Sequence, residues 1–105
     1  MAQFDVYRNP NAATRARIPY LLDVQSDLLD SVPTRIVVPL CKPDVLSRKP
    51  AERLNPAFEV QGRKLFMLTL EIAGVSHKAL GERIANLAAG RTAIIAALDL
   101  AITGI

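Results

Sequence analysis

With 105 residues, half of them hydrophobic and 22% charged, the chain has material for one domain with a real core, and its balance is far from that of a disordered segment. A formal charge of +3 favours acidic partners but falls short of the dense basic stripe of a dedicated nucleic-acid binder. The single cysteine, Cys41, excludes an intramolecular disulfide and suits a reducing compartment, so a cytoplasmic protein is expected.

Taken in chain order, Gln3 to Tyr7 alternates Phe4 and Val6 with Asp5 and Tyr7, the period of a half-buried first strand. Arg8 to Arg17 has a proline, asparagines and arginines without apolar period, and reads as a loop with a mobile tip. Pro19 to Val24 forms a second strand, its proline at the start where a missing donor does least harm. Thr34 to Leu40 is dense in β-branched residues, with Pro39 expected to bend or stop it.

Cys41 to Pro56 holds three prolines and reads as a connection with at most one short strand or helical turn. Phe58 to Val60 and Lys64 to Leu70 flank Gln61-Gly62, the signature of a tight hairpin. From Leu80 onward, Ile84, Leu87, Ile94, Ile95, Leu98 and Ile102 fall mostly at helical steps. The main helix is placed at Ala88 to Ile102, with Asn86 as N-cap and Gly104 at its C-terminus; His77 to Ala85 stays ambiguous. The outline is mainly β, a strongly bent antiparallel sheet or SH3-like barrel with a C-terminal helix, residues 1–105 forming one domain.

The chemistry of catalysis is thinly represented. His77 stands alone in a polar stretch and reads as solvated, and Cys41 has no thiolate-stabilising neighbour, so neither is given a role. No zinc pattern can be assembled; Asp23, Asp27 and Asp30 lack the glycine turn and closing glutamate of a calcium loop and read as solvated turn carboxylates or caps. The scattered glycines form no phosphate loop, so no metal and no cofactor is expected. Arg15, Arg17, Arg35, Lys42, Arg48, Lys49 and Arg53 either converge into a groove for an anionic ligand or form an ordinary solvated surface, the second being favoured.

Two apolar features are unusual. Leu28 and Leu29 lie between acids in a turn, either exposed and calling for a partner or turned into the core. Ile102 and Ile105 bracket Thr103-Gly104 on a terminus that would normally fray, so the tail is held either by the core or by a second subunit. Residues 1 to 17 lack the apolar run of a signal peptide, and Ala93 to Ile105, interrupted by Asp99, is too short to cross a bilayer, so no membrane is expected.

Gln3 to Tyr7 (QFDVY), Leu21 to Asp30 (LLDVQSDLLD), Thr34 to Leu40 (TRIVVPL) and the closing ITGI together resemble CcdB, the toxin of the ccd toxin–antitoxin module, over nearly the whole chain and in the right order. The resemblance implies a homodimer of SH3-like barrels that binds the A subunit of DNA gyrase and traps the cleaved DNA complex, acting as an inhibitor of the topoisomerase and not as an enzyme. It further implies neutralisation by the CcdA antitoxin, and repression of the operon through operator DNA that the toxin meets only within the antitoxin complex. Gly104 and Ile105 match the family's terminal gyrase contacts, with Leu28 and Leu29 beside them, and Asp99 stands where the plasmid toxin has an asparagine facing gyrase.

Thr103 takes the place of a tryptophan that stacks on a gyrase arginine, which points to a chromosomal-type relative. Loss of that contact amounts to roughly 0.5 to 2 kcal/mol, about one order of magnitude in affinity. Arg8, Arg15, Arg17, Arg48 and Lys49 have the sign to receive an acidic antitoxin tail. Two alternatives stand beside this reading. One is an endoribonuclease of the MazF and Kid type, which shares the barrel and would conscript Arg17, Arg35 and Asp23; the other is a relative that keeps only antitoxin binding.

Overall fold

In a computed structural model, which describes residues 1–104, the strands are β1 (Asp5–Arg8), β2 (Tyr20–Asp23), β3 (Thr34–Cys41), β4 (Ala57–Val60), β5 (Arg63–Met67), β6 (Ala73–Ser76) and β7 (Arg83–Asn86). Helix α1 (Arg91–Thr103) follows them, after a 3-10 turn at Ala88–Gly90. Every pairing is antiparallel, and the sheet order is β4-β5-β3-β2-β1-β7, with β6 also on β3. The result is a mainly β, curled antiparallel half-barrel with one C-terminal helix, as the sequence leads one to expect.

β3 organises this sheet. Along one edge it pairs with β2; along the other it pairs with β6 over Thr34–Val37 and then with β5 at Leu40 and Cys41. Pro39 does not stop the strand, which runs on to Cys41. The Pro39 carbonyl accepts the Leu68 amide on the edge away from β2, and in a strand a residue's nitrogen points to the same side as its carbonyl. The missing donor therefore falls between the end of β5 at Met67 and the start of β6 at Ala73, where no ladder bond is lost.

The β4–β5 hairpin turns through Gln61 (φ 51°) and Gly62 (φ 78°), two successive left-handed residues whose twist matches that of the flanking strands. One face of the sheet carries Phe4, Val6, Leu22, Val38 and Leu40, covered by Leu65 and Met67 of β5 and by Ile94 and Ala97 of α1. Phe4 holds a left-handed backbone (φ 71°), tied by its amide to the Asp23 carbonyl at 2.6 Å.

The opposite face is not the solvated one that the alternation of Gln3 to Tyr7 implies. Asp5 and Tyr7 are buried there together with Asp23, Gln25 and Arg35. The curl of the sheet, with side chains arriving from β7, encloses them. Asp5 Oδ1 accepts from Arg83 Nε (2.8 Å) and Asn86 Nδ2 (2.9 Å), while Oδ2 accepts from the Ala2 amide (2.9 Å) and the Tyr7 hydroxyl (3.2 Å). Burial pushes the Asp5 carboxyl up, but these donors and the Arg83 charge outweigh it and leave the group below its usual range.

The helical stripe drawn from Leu80 is corrected: Arg83–Asn86 is strand β7, paired with β1. Asn86 does not cap α1. Its side chain accepts the Ala88 amide (2.8 Å) and donates to Asp5, so it ends a strand and starts the short 3-10 turn instead.

Candidate binding surfaces

The segment DVQSD builds a rigid platform from polar groups. Asp23 Oδ1 accepts the Gln25 amide (3.0 Å), and Oδ2 accepts Arg35 Nε (2.8 Å), with Arg35 Nη2 at 2.7 Å from the same oxygen but not aligned to hydrogen-bond it. Burial dominates and holds the Asp23 carboxyl above the usual range, despite the bonds from Gln25 and Arg35. Gln25 Oε1 accepts the Ile36 amide, and its Nε2 donates to the Leu29 carbonyl. Ser26 caps the 3-10 turn Asp27–Leu29 by accepting the Leu28 amide, Asp27 accepts the Gln3 amide at 2.7 Å, and Asp30 takes Arg35 Nη1 at 3.2 Å.

What this frame presents is Leu28 at 94% exposure and Leu29 at 49%. Neither points into the core, which resolves the alternative left open by the sequence. Asp23 and Arg35, expected as solvated groups, are the buried anchors of the platform, because a buried guanidinium must be paired, here with Asp23 on the neighbouring strand and Asp30 in the connection after it.

The second group of expected contacts lies at the end of α1. Asp99 and Thr103 are exposed, and the Thr103 hydroxyl donates to the Asp99 carbonyl at 2.7 Å, so this side chain lies back along the helix. Gly104 (φ 76°) is the left-handed cap, its amide returning to the Leu100 carbonyl. Ile102 is 75% exposed, so the core does not hold the tail; Ile105 lies outside the described residues. In one chain these residues and the Leu28 platform belong to separate elements, the β2–β3 connection and the end of α1.

The expected cationic residues divide. Arg8 and Arg15 line a cavity of about 470 Å³ together with Lys42 and Arg63, and Glu82 is its carboxylate. Arg48 and Lys49 rim a different cavity, about 380 Å³, with Leu46, Leu54, Leu68 and Leu70 supplying apolar walls. Arg17 is exposed, and its carbonyl accepts the Lys42 amide at 3.1 Å. Arg63 escaped the sequence reading because only the hairpin brings it beside β2, where its Nη2 meets the Tyr20 hydroxyl at 3.2 Å.

His77 is exposed, and Cys41 is buried, its thiol pushed up by burial and by the Glu71 carboxylate. Among the described residues no group of three or more His, Cys, Asp or Glu side chains is placed to hold a metal ion. The surfaces are thus suited to binding: an aliphatic platform, an exposed helix end and two cavities with cationic rims.

The family model described as CcdB protein matches residues 3–104. The chain belongs to the CcdB family. It is accordingly a toxin of a toxin–antitoxin pair, and the family implies an antitoxin partner. Two solved structures share the fold of this CcdB-family chain. One, described as an endoribonuclease in complex with its cognate antitoxin from Mycobacterial species, has a TM-score of 0.76 at 16% identity, covering 98% of this chain and 95% of that one. The other, an endoribonuclease from Mycobacterial species, has a TM-score of 0.74 at 16% identity, covering 98% and 91%. At that identity the likeness concerns the fold. No helix among the described residues is long and apolar enough to cross a membrane.

Proposed function

We propose that this toxin acts in the cytoplasm by binding the A subunit of DNA gyrase and trapping the cleaved DNA complex, with no residue serving as a catalyst. The observation that carries this reading is Leu28, held almost fully in solvent by a frame of buried polar groups, an arrangement that costs burial and is repaid only by a partner. Leu29, Asp99, Thr103, Gly104 and Ile105 complete the proposed gyrase surface.

The working unit is proposed to be a homodimer. Ile36 on β3 and Ile72, the residue immediately before β6, are both partly exposed apolar side chains at this margin of the sheet. Leu70 belongs to the 3-10 turn that packs against α1. This apolar margin supports a subunit contact. Arg8, Arg15, Arg17, Arg48 and Lys49 are proposed to receive the acidic tail of the CcdA-type antitoxin, and operator DNA is met only within that complex.

The fold neighbours bring an endoribonuclease into view, but of the groups such a reading would conscript, Asp23 and Arg35 are joined in a buried ion pair that a phosphodiester does not reach, which leaves the exposed Arg17 without its acid. The test is gyrase-dependent cleavage of supercoiled plasmid by the wild type beside Thr103→Trp. Linear product is expected with the wild type, and more of it with the variant. A folded protein that yields no linear plasmid with gyrase, or that cuts single-stranded RNA in a nuclease-free mixture, refutes this proposal.

A further inference from the structure

The cavity bounded by Arg8, Arg15, Lys42 and Arg63 contains one carboxylate, Glu82, whose Oε2 stands 3.4 Å from Arg8 Nε. Its position is fixed by the backbone. The Arg8 amide donates to the Glu82 carbonyl (2.8 Å), and the Gly81 amide donates to the Arg8 carbonyl (3.0 Å). A Cβ at Gly81 would stand 2.7 Å from that carbonyl oxygen, so glycine is what lets the segment lie this close. The Glu82 side chain is itself 74% exposed, so it can leave Arg8 without loss of packing.

We propose that Lys42 and Arg63 are recognition residues for a carboxylate-rich peptide, and that Glu82 is an intramolecular competitor that occupies the first carboxylate position until such a peptide displaces it. This rests on the antitoxin reading above and adds to it the cavity, two further cations and the competing group.

Arg63 is preorganised. Its guanidinium lies 5.4 Å from the centroid of the Tyr20 ring, and that ring is buried. Lys42 is half-buried, and its backbone is tied to Arg17. Groups held before binding lose less conformational freedom on binding.

A peptide fits better than a nucleic-acid backbone for two reasons. The neighbouring cavity, about 450 Å³, shares Asn9 and Pro10 with this one and is walled by Leu21, Pro39, Val75 and Ala79, which suits apolar side chains that a phosphate chain lacks. The buried Tyr20 ring offers no face on which a base can stack.

The experiment measures binding of a labelled deca-glutamate peptide and of labelled decathymidylate to the intact protein by fluorescence anisotropy at low salt. Glu82→Gln is expected to tighten peptide binding roughly three-fold, and Lys42→Gln and Arg63→Gln each to weaken it by a similar factor, the effects shrinking as salt is raised. Glu82→Lys, which adds a cation, is expected to tighten it further. Thermal unfolding of each variant checks that the fold is kept.

Unchanged peptide affinity in both Glu82 variants, or tighter binding of the oligonucleotide than of the peptide, overturns the proposal. Neutralisation of the toxin by its antitoxin is followed separately. If the antitoxin neutralises wild type, Glu82→Gln and Arg63→Gln alike, the antitoxin reading stands and this inference fails. If the peptide responds as expected but no antitoxin is bound, the reverse holds.

Discussion

Arg35 and Asp23 are both buried, with guanidinium and carboxylate 2.7 Å apart, so removing the guanidinium leaves a buried carboxylate without its counter-charge. Arg35→Ala is expected to destabilise the fold by about 3 to 5 kcal/mol, measured by urea unfolding, and to loosen the turn that carries Leu28. Tyr7 offers a pH test. Burial, followed by the Asp5 carboxylate, pushes its phenol up to about 12, against an ordinary value of 10. A group whose folded pKa is raised gives stability that is complete below its unfolded pKa and is lost as pH rises through the folded one. The wild type should therefore lose about 2 kcal/mol between pH 10 and pH 12 that Tyr7→Phe does not lose, followed by chemical unfolding across that range.

Helix α1 ends on a left-handed residue in open space, since a Cβ at Gly104 would meet nothing within 4 Å, so any penalty for a side chain there is purely conformational. Gly104→Ala is expected to cost about 1 kcal/mol, a fall in Tm of about 4 to 8 °C for a domain of this size. Local chemistry was readable from the sequence wherever it decides the outcome: Gln61-Gly62 fixes the β4–β5 hairpin, and Gly104 marks the helix end. It was misleading where pairing decides. Ile84 and Leu87 are spaced as on a helix, yet β1 recruits their segment as β7, and Pro39 reads as a strand breaker until the gap between β6 and β5 is known. The candidate site divides in the same way. Leu28 and Leu29 stand out in the sequence as apolar residues between acids, but the role of Asp23, Gln25 and Arg35 in holding them requires β3 alongside β2. The cavity formed by Arg8, Arg15, Lys42 and Arg63 joins three separate stretches of chain that no spacing rule connects.

Over the whole molecule, the buried polar face and the apolar face divide the labour. The apolar core secures the half-barrel and α1, and the polar network spends its hydrogen bonds on holding the connection that displays Leu28 outward. The proposed gyrase contacts and the cavity of Arg8, Arg15, Lys42 and Arg63 fall on different elements, so a toxin held by its target can still offer that cationic cavity to an acidic displacing peptide. The central claim concerns Leu28, whose exposure means that its replacement should leave folding within about 0.5 kcal/mol of the wild type. Calorimetric titration of the gyrase A dimerisation region with wild type and with Leu28→Ser tests this most directly. The account predicts an unchanged unfolding midpoint and an affinity at least about tenfold weaker for the variant, the value of burying one leucine; equal affinity of the two proteins for gyrase would contradict it.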